Sequence, residues 1–426
     1  MAHHLSSRPE RGTGTLALLL ILLLGAALML LYANRALLFE QRSAANQARA
    51  TQAFEAAEAG REWLLAQLNQ RGESDPACVP VPQAGAAATN QSFRARYLAI
   101  DPASGLIDPV AAAEPGCALD RTSGWRCACP DGSAAQLTAA ASGDSPAFGV
   151  RLSAGPRAGL LLASVTGCSQ VGRGCGGTTR PDATTSVQLM LAALPVLARP
   201  PPATLTSAAS LSLQSGVQVA NPDAESGGTT LDTGATLQLA ADVRLLGPPG
   251  SPGGSASTIE LDPRLRDAGG APLPDAAQFS SVFALGRTLY RELPNLQRLD
   301  CRAGCSASSV DAALASGARL LWIDGDLQVS GAPSWGTQLA PVLLIIDGSA
   351  SFSGPLQLTG LVHARQLSWN NAAASAGTLR GALVATGAMQ LGGPLQLQHD
   401  TDVLARLQHA AAALLPVPGS WRDFSD

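Results

Sequence analysis

Lysine is absent from this 426-residue chain, so all 28 basic residues are arginine. A Walker A loop needs a lysine on its phosphates and Schiff-base chemistry needs a lysine amine, so both are excluded. Charge of either sign is scarce, at 14 % of residues, and the net charge of −4 supplies no basic field for nucleic acid. Aromatic residues make up only 4 %. Glycine (44) and proline (29) are plentiful instead. With the many Ala and Leu they suit short strands, tight turns and stacked small side chains, not a large aromatic-filled enzyme core.

Catalytic constellations are missing too. The five histidines, at 3, 4, 363, 399 and 409, form no H-E-x-x-H pair. His363 lies in the alternating stretch LVHARQL and reads as a solvent-facing strand position. Asp324, Asp326 and Asp347 flank glycines and read as turn residues, although such a series could form an acidic ladder like those of solenoid polysaccharide-cleaving enzymes. No D-x-[DN]-x-[DN]-G calcium loop occurs. The chain is expected to be no enzyme, with no catalytic residue, no cofactor and no metal.

What is present begins at the amino terminus. Twenty-three uncharged residues separate Arg11 from Arg35, and Leu16 to Ala33 is an apolar run broken only by Gly25. Those 18 positions would span roughly 27 Å as a helix, close to the hydrocarbon thickness of a bilayer. A cleaved secretory signal would have a shorter apolar region, and no Leu-x-Gly-Cys lipobox is present. A plain signal anchor fits this run equally well. Thr15 to Gln70 contains no helix stop, so one helix can continue through it. Its second half is amphipathic: Phe54, Ala57, Leu64, Leu65 and Leu68 recur at helical spacing, while Glu55, Glu58 and Glu62 share a solvated face.

A helix half in lipid and half under a globular head is similar to a type IV pilin. Arg8-Pro-Glu-Arg-Gly12, followed at once by the uncharged run, resembles a class III prepilin leader. Gln52-Ala-Phe-Glu-Ala-Ala-Glu-Ala-Gly-Arg61 and the carboxyl end Val417-Pro-Gly-Ser-Trp-Arg-Asp-Phe424 resemble PilX-type minor pilins. The resemblance implies cleavage by prepilin peptidase between Gly12 and Thr13, with Gly14 as an alternative cut. It also implies a single-pass inner-membrane protein with a periplasmic carboxyl part, later found at a pilus tip. The implied partners are other minor and major pilins, met through the helix, and a tip adhesin. Cleavage after Gly12 makes Ala17 the fifth mature residue, where major pilins carry a glutamate.

The eight cysteines, Cys78, Cys117, Cys127, Cys129, Cys168, Cys175, Cys301 and Cys305, all follow the apolar run. An even count in Gly-rich surroundings behind a membrane anchor points to disulfides in an oxidising compartment. Cys168 and Cys175 flank a Gly-containing turn, and Cys301 and Cys305 bracket Arg-Ala-Gly and need a loop to pair. The other pairings are open among many connectivities. Zinc is disfavoured because Cys127-x-Cys129 has the wrong spacing and no His pair accompanies it.

Beyond the helix, Arg199-Pro-Pro-Pro-Ala203 breaks any strand ladder and marks a boundary. Past it the sequence repeats. Ile323-Asp-Gly-Asp-Leu-Gln-Val-Ser-Gly331 is echoed 23 residues later by Ile346-Asp-Gly-Ser-Ala-Ser-Phe-Ser-Gly354, and Gly354-Pro-Leu-Gln-Leu358 recurs 39 residues later as Gly393-Pro-Leu-Gln-Leu397. Alternating runs between Gly turns suggest a β-solenoid, with a flat sandwich as the alternative. The expectation is an α+β chain with a leader at 1–12 and a pilin helix at 13–70, spanning the membrane at about 16–33. A β-rich head with disulfides follows at 71–198. Residues 199–426 form a β-solenoid-like region with a helical insertion at about 275–320. The function expected is a non-enzymatic minor pilin in pilus assembly. The alternatives are a minor pseudopilin of a type II secretion system, or a membrane-anchored solenoid adhesin or glycan-active protein.

Overall fold

A computed structural model describes residues 13–70, 72–81, 91–110, 113–140, 145–250, 257–283, 285–409 and 411–423. The leader expected at 1–12 lies outside them. Helix α1 runs unbroken over Thr13–Leu68, 56 residues with no proline. At about 1.5 Å per residue it is ~84 Å long. A five-residue helix, α2 (Phe93–Tyr97), is capped by Ser92, whose Oγ accepts from the Ala95 N–H at 3.1 Å.

A six-stranded antiparallel sheet lies against the second half of α1. Its order is Ala413–Pro416, Thr184–Leu194, Leu160–Cys168, Ala147–Ala154, Gly116–Asp120, Gly124–Ala128. Burial alternates along Leu160–Cys168, as a sheet with one covered face requires. Ala413–Pro416 pairs with the far end of Thr184–Leu194, so the carboxyl-terminal segment belongs to this head sheet and not to the region that starts at 199.

The second region is parallel and curled. One column of its ladder runs Leu321, Leu344, Val362, Leu383, Leu205, Leu231 through six successive strands, all six side chains buried in one core. Two further columns, Leu358–Leu379–Leu397–Val219–Leu245 and Phe352–Trp369–Leu391–Leu213–Leu239, flank it. Chain order and spatial order differ. The segment 205–220 pairs with 231–246 on one side and with 383–398 on the other. The chain therefore enters mid-stack, fills one end, crosses to the far end at Leu296–Cys305, and winds back through 320–330, 342–353 and 357–370 to meet its starting level.

The crossing segment covers one face of the stack. Helices α3 (Asp275–Phe283) and α4 (Arg287–Tyr290) precede Leu296–Cys305, α5 (Ala307–Ala315) follows it, and α6 (Thr401–His409) closes the region. The expected helical stretch at 275–320 thus contains a ten-residue strand, Leu296–Cys305, which carries both cysteines of the expected loop. The cysteines approach because the register slips between Cys301 and Cys305. Under α3, α4 and α6, outward-facing Trp322, Leu343, Ile345, Leu361, Ala382 and Val384 form a separate core with Phe279, Phe283 and Tyr290. Strands buried on both faces read as continuous apolar runs, which explains LLWI, VLLII and ALVA. His363 sits in such a strand, fully buried between Phe279 and Phe283 with ring centroids 5.3 Å away, and not at a solvent-facing position.

Candidate functional site

Helix α1 changes character along its length. Leu16–Ala33 is apolar and all but fully exposed, long enough to cross a bilayer. From Ala53 onward one face disappears into the head: Ala53, Ala56, Ala57, Gly60, Leu64 and Leu68 are buried, while Glu55 and Glu62 remain exposed. The seat is built from small residues. A Cβ on Gly60 would stand 2.7 Å from Phe148 Cγ and Val165 Cγ1, and one on Gly167 would strike the helix backbone at Ala53 and Ala57. Bare backbones on both sides let helix and sheet touch. Trp63 closes the edge against Phe93 and Phe148, with centroids at 5.4 and 5.5 Å.

The carboxyl-terminal segment locks the helix from the other side. Asn69 Nδ2 donates to the Leu414 carbonyl at 2.9 Å, and the Leu414 N–H donates back to Asn69 Oδ1 at 2.9 Å. Arg94 caps the helix end by donating to the Leu68 carbonyl from Nε at 3.1 Å and Nη2 at 2.8 Å. Glu58 accepts from Trp421 Nε1 at 3.0 Å and from Arg61 Nε at 2.9 Å. The segments 52–61 and 417–423, far apart in sequence, therefore touch.

The cysteines lie in four bridges: Cys78–Cys129, Cys117–Cys127, Cys168–Cys175 and Cys301–Cys305. Cys117 and Cys127 are directly opposed across a hairpin, with Cα atoms 4.0 Å apart. Cys78 and Cys129 tie the loop after α1 to the head across 51 residues. Gly12 lies outside the described residues, and Thr13 begins α1.

The carboxylates singled out in the sequence are strand residues held by arginines or backbone, not turn residues. Asp324 accepts from Trp322 Nε1 at 2.9 Å and pairs with Arg291 at 2.8 Å and Arg298 at 3.1 Å. Its own partial burial opposes ionisation, yet the bonds from Arg298 and Trp322 hold its pKa below the usual carboxylate range. Asp347 pairs with Arg365 at 2.6 Å and Arg287 at 3.2 Å, and Asp326 Oδ1 accepts from the Ser349 N–H at 2.7 Å. The rule that Asp-Gly means turn fails because neighbouring strands supply the partners. Burial, with Arg287 adding to it, pushes the His363 imidazole down to about 3, so the ring is neutral. His399 Nε2 lies 2.9 Å from the Pro201 carbonyl oxygen. Among the described residues no group of three or more His, Cys, Asp or Glu is placed to hold a metal ion.

A long helix, apolar and exposed at its start and seated on a β-rich head at its end, defines a pilin-like anchor. Residues 14–62 match the family described as PilX N-terminal, and with the apolar helix this match fits a PilX-type pilin. No curated protein and no solved structure matches the chain. The matched family points to a minor pilin role in a type IV pilus, to association with other pilus components, and to a structural, non-enzymatic class of protein.

Proposed function

We propose that the protein is a minor pilin that takes part in assembling or priming a type IV pilus and stands near its tip. One observation carries the reading: the PilX-like segment is a single helix whose apolar half is exposed and whose other half is packed into a head. In a bilayer the exposed half is the anchor, and in a filament the same surface packs against other pilin helices. Prepilin peptidase cuts after Gly12 and leaves Thr13 at the mature amino terminus. Before assembly the protein crosses the inner membrane once, with the head in the periplasm, where thiols are oxidised to disulfides. Ala17 at the fifth mature position means that docking relies on helix packing and not on a charge pair.

The parallel region is a β-solenoid that the head carries outward, towards a tip adhesin. The protein acts stoichiometrically: Asp324 and Asp347, the candidates for acid chemistry, are engaged by arginines. Leu23→Arg tests the role, since an arginine at the centre of a span costs roughly 2.5–3.5 kcal/mol to insert and would leave a charge in the filament core. Pilus number counted by electron microscopy should collapse while the head stays protease-resistant. If deletion of the gene left piliation and twitching normal but abolished a glycan-cleaving activity, a solenoid enzyme would replace the pilin reading.

A further inference from the structure

Where the chain meets its starting level in the stack, three parallel strands lie side by side: Gly377–Ala385, Leu395–Gln398 and Val217–Ala220. Leu379, Leu397 and Val219 point into the core, so alternation turns their neighbours outward. Two outward rows result: Thr378, Gln396 and Gln218 in one, Arg380, Gln398 and Ala220 in the other. Strands stand about 4.8 Å apart and side chains on one face repeat about every 6.6 Å, so the two rows form a grid. These six residues line an open depression of about 320 Å3, a size that holds a small ligand.

The grid is polar without being charged. Gln218, Thr378, Gln396 and Gln398 make no side-chain hydrogen bond among the described residues. All four are exposed or half-exposed, so a ligand can reach their amide and hydroxyl groups. Arg380 Nη2 donates to Asp400 Oδ2 at 2.7 Å, which balances its charge and leaves other N–H groups of its fork over. Arg244 stands one strand beyond Gln218, outside the lining. Among the described residues no carboxylate and no aromatic ring lines the depression, and Ala220 is the one apolar side chain in its two outward rows.

Different partners need different surfaces. A nucleic acid needs a surplus of positive charge, and a protein needs an apolar or aromatic anchor. Neither is offered here. Sugar hydroxyls both donate and accept, and a primary amide does the same. We propose that the depression binds a neutral oligosaccharide, lying across the three strands and held without being cleaved. Its hydroxyls bond the amides of Gln218, Gln396 and Gln398, and the spare N–H groups of Arg380 add donors beside them. With no ring to stack on, affinity rests on these bonds and is millimolar. With no pair of carboxylates lining the depression, nothing there protonates or attacks a glycosidic bond. The inference goes beyond the minor-pilin reading and stands apart from it, because the three strands lie outside the matched residues 14–62.

The test is a saturation-transfer NMR titration of the full chain, held in zwitterionic micelles whose headgroups carry no sugar. The probes are three neutral hexamers (β-1,4-glucose, α-1,4-glucose and β-1,4-N-acetylglucosamine) and an acidic one of galacturonate. At least one neutral hexamer should saturate with a Kd of about 5 mM or tighter, and the galacturonate hexamer should bind at least about threefold more weakly. Which neutral hexamer binds distinguishes a plain glucan source from an N-acetylated one. Gln396→Leu should weaken binding by at least about threefold, and Gln396→Leu with Gln398→Leu by at least about tenfold. Gln328→Leu, an exposed glutamine on the strand Leu320–Ser330, should change nothing. Both substituted glutamines of the site are exposed, and an unchanged circular dichroism spectrum checks that the variants fold. The proposal is overturned if no neutral hexamer saturates up to about 20 mM, or if galacturonate binds equally or more tightly. Full affinity in the folded double variant, or shortening of the bound hexamer during the titration, overturns it as well.

Discussion

The head and the parallel region are both β structures poor in charge, yet they hold together in different ways. The head is one antiparallel layer with one covered face, and its core includes Leu64 and Leu68 of α1, so it borrows a helix to be complete. Three of the four disulfides lie there. The parallel region has one core inside the curl and a second beneath α3, α4 and α6, to which the head adds Val196, Leu197 and Ala413, and it carries one short bridge on its terminal strand. A sheet buried on one face depends on cross-links and on its helix. A sheet buried on both faces depends on side-chain packing.

If that difference is real, perturbations should sort by region, with hydrogen exchange of peptides from each region as the readout. The largest effect should come from Cys78→Ala with Cys129→Ala, which opens a closure of 51 residues and should cost the head about 4 kcal/mol. Opening Cys301–Cys305, a closure of four, should cost the parallel region only about 2 kcal/mol. Next, Leu344→Ala in the central column should cost the parallel region about 3 kcal/mol and leave protection in the head unchanged. Gly60→Val, wedging α1 off Phe148 and Val165, should reverse that pattern at about 2 kcal/mol.

The parallel region should also carry a pH dependence of its own, set by Asp232 and His363. Burial and the neighbouring Asp262 raise the Asp232 pKa to about 7, against the pull of Arg264. Its folded pKa exceeds the unfolded one, so its stabilising effect is complete below the ordinary carboxylate range and is lost as pH rises through about 7. His363 has the opposite sign. Its folded pKa of about 3 lies below the unfolded value of 6.5, so its stabilising effect is present above pH 6.5 and is lost as pH falls towards 3. Asp232→Asn should flatten the alkaline limb of a denaturation-versus-pH profile, and His363→Leu the acid limb. Unchanged profiles in both variants would contradict these assignments.

How much of this was legible in the sequence follows from how local each signal is. The long helix shows as an absence of stop signals over Thr15–Gln70, and its seat shows in the spacing of Ala57, Leu64 and Leu68. The 23-residue echo is one step of the ladder, since Ile323 is paired with Ile346. The 39-residue echo is two steps: Leu358 pairs with Leu379, which pairs with Leu397. The mid-stack entry left no such trace, because Leu205 meets Leu383 by shape and not by repeated letters. His363 was misread because one alternation serves both a strand facing water and a strand buried between two cores. Leu296–Cys305 was misread as part of a helical stretch because pairing with 320–330 overrides local propensity. The pairings of Cys78 and Cys117 depend on how the head folds, which spacing does not encode.

A helix α1 that works as a pilin helix belongs in the filament as well as in the membrane. The most direct test is to shear filaments from cells, separate them from membranes, and sequence the amino terminus of this protein in each fraction. A minor pilin should begin at Thr13 in the filament fraction and be present there in small amounts relative to the major subunit. A chain confined to the membrane fraction and still beginning at Met1 would contradict it.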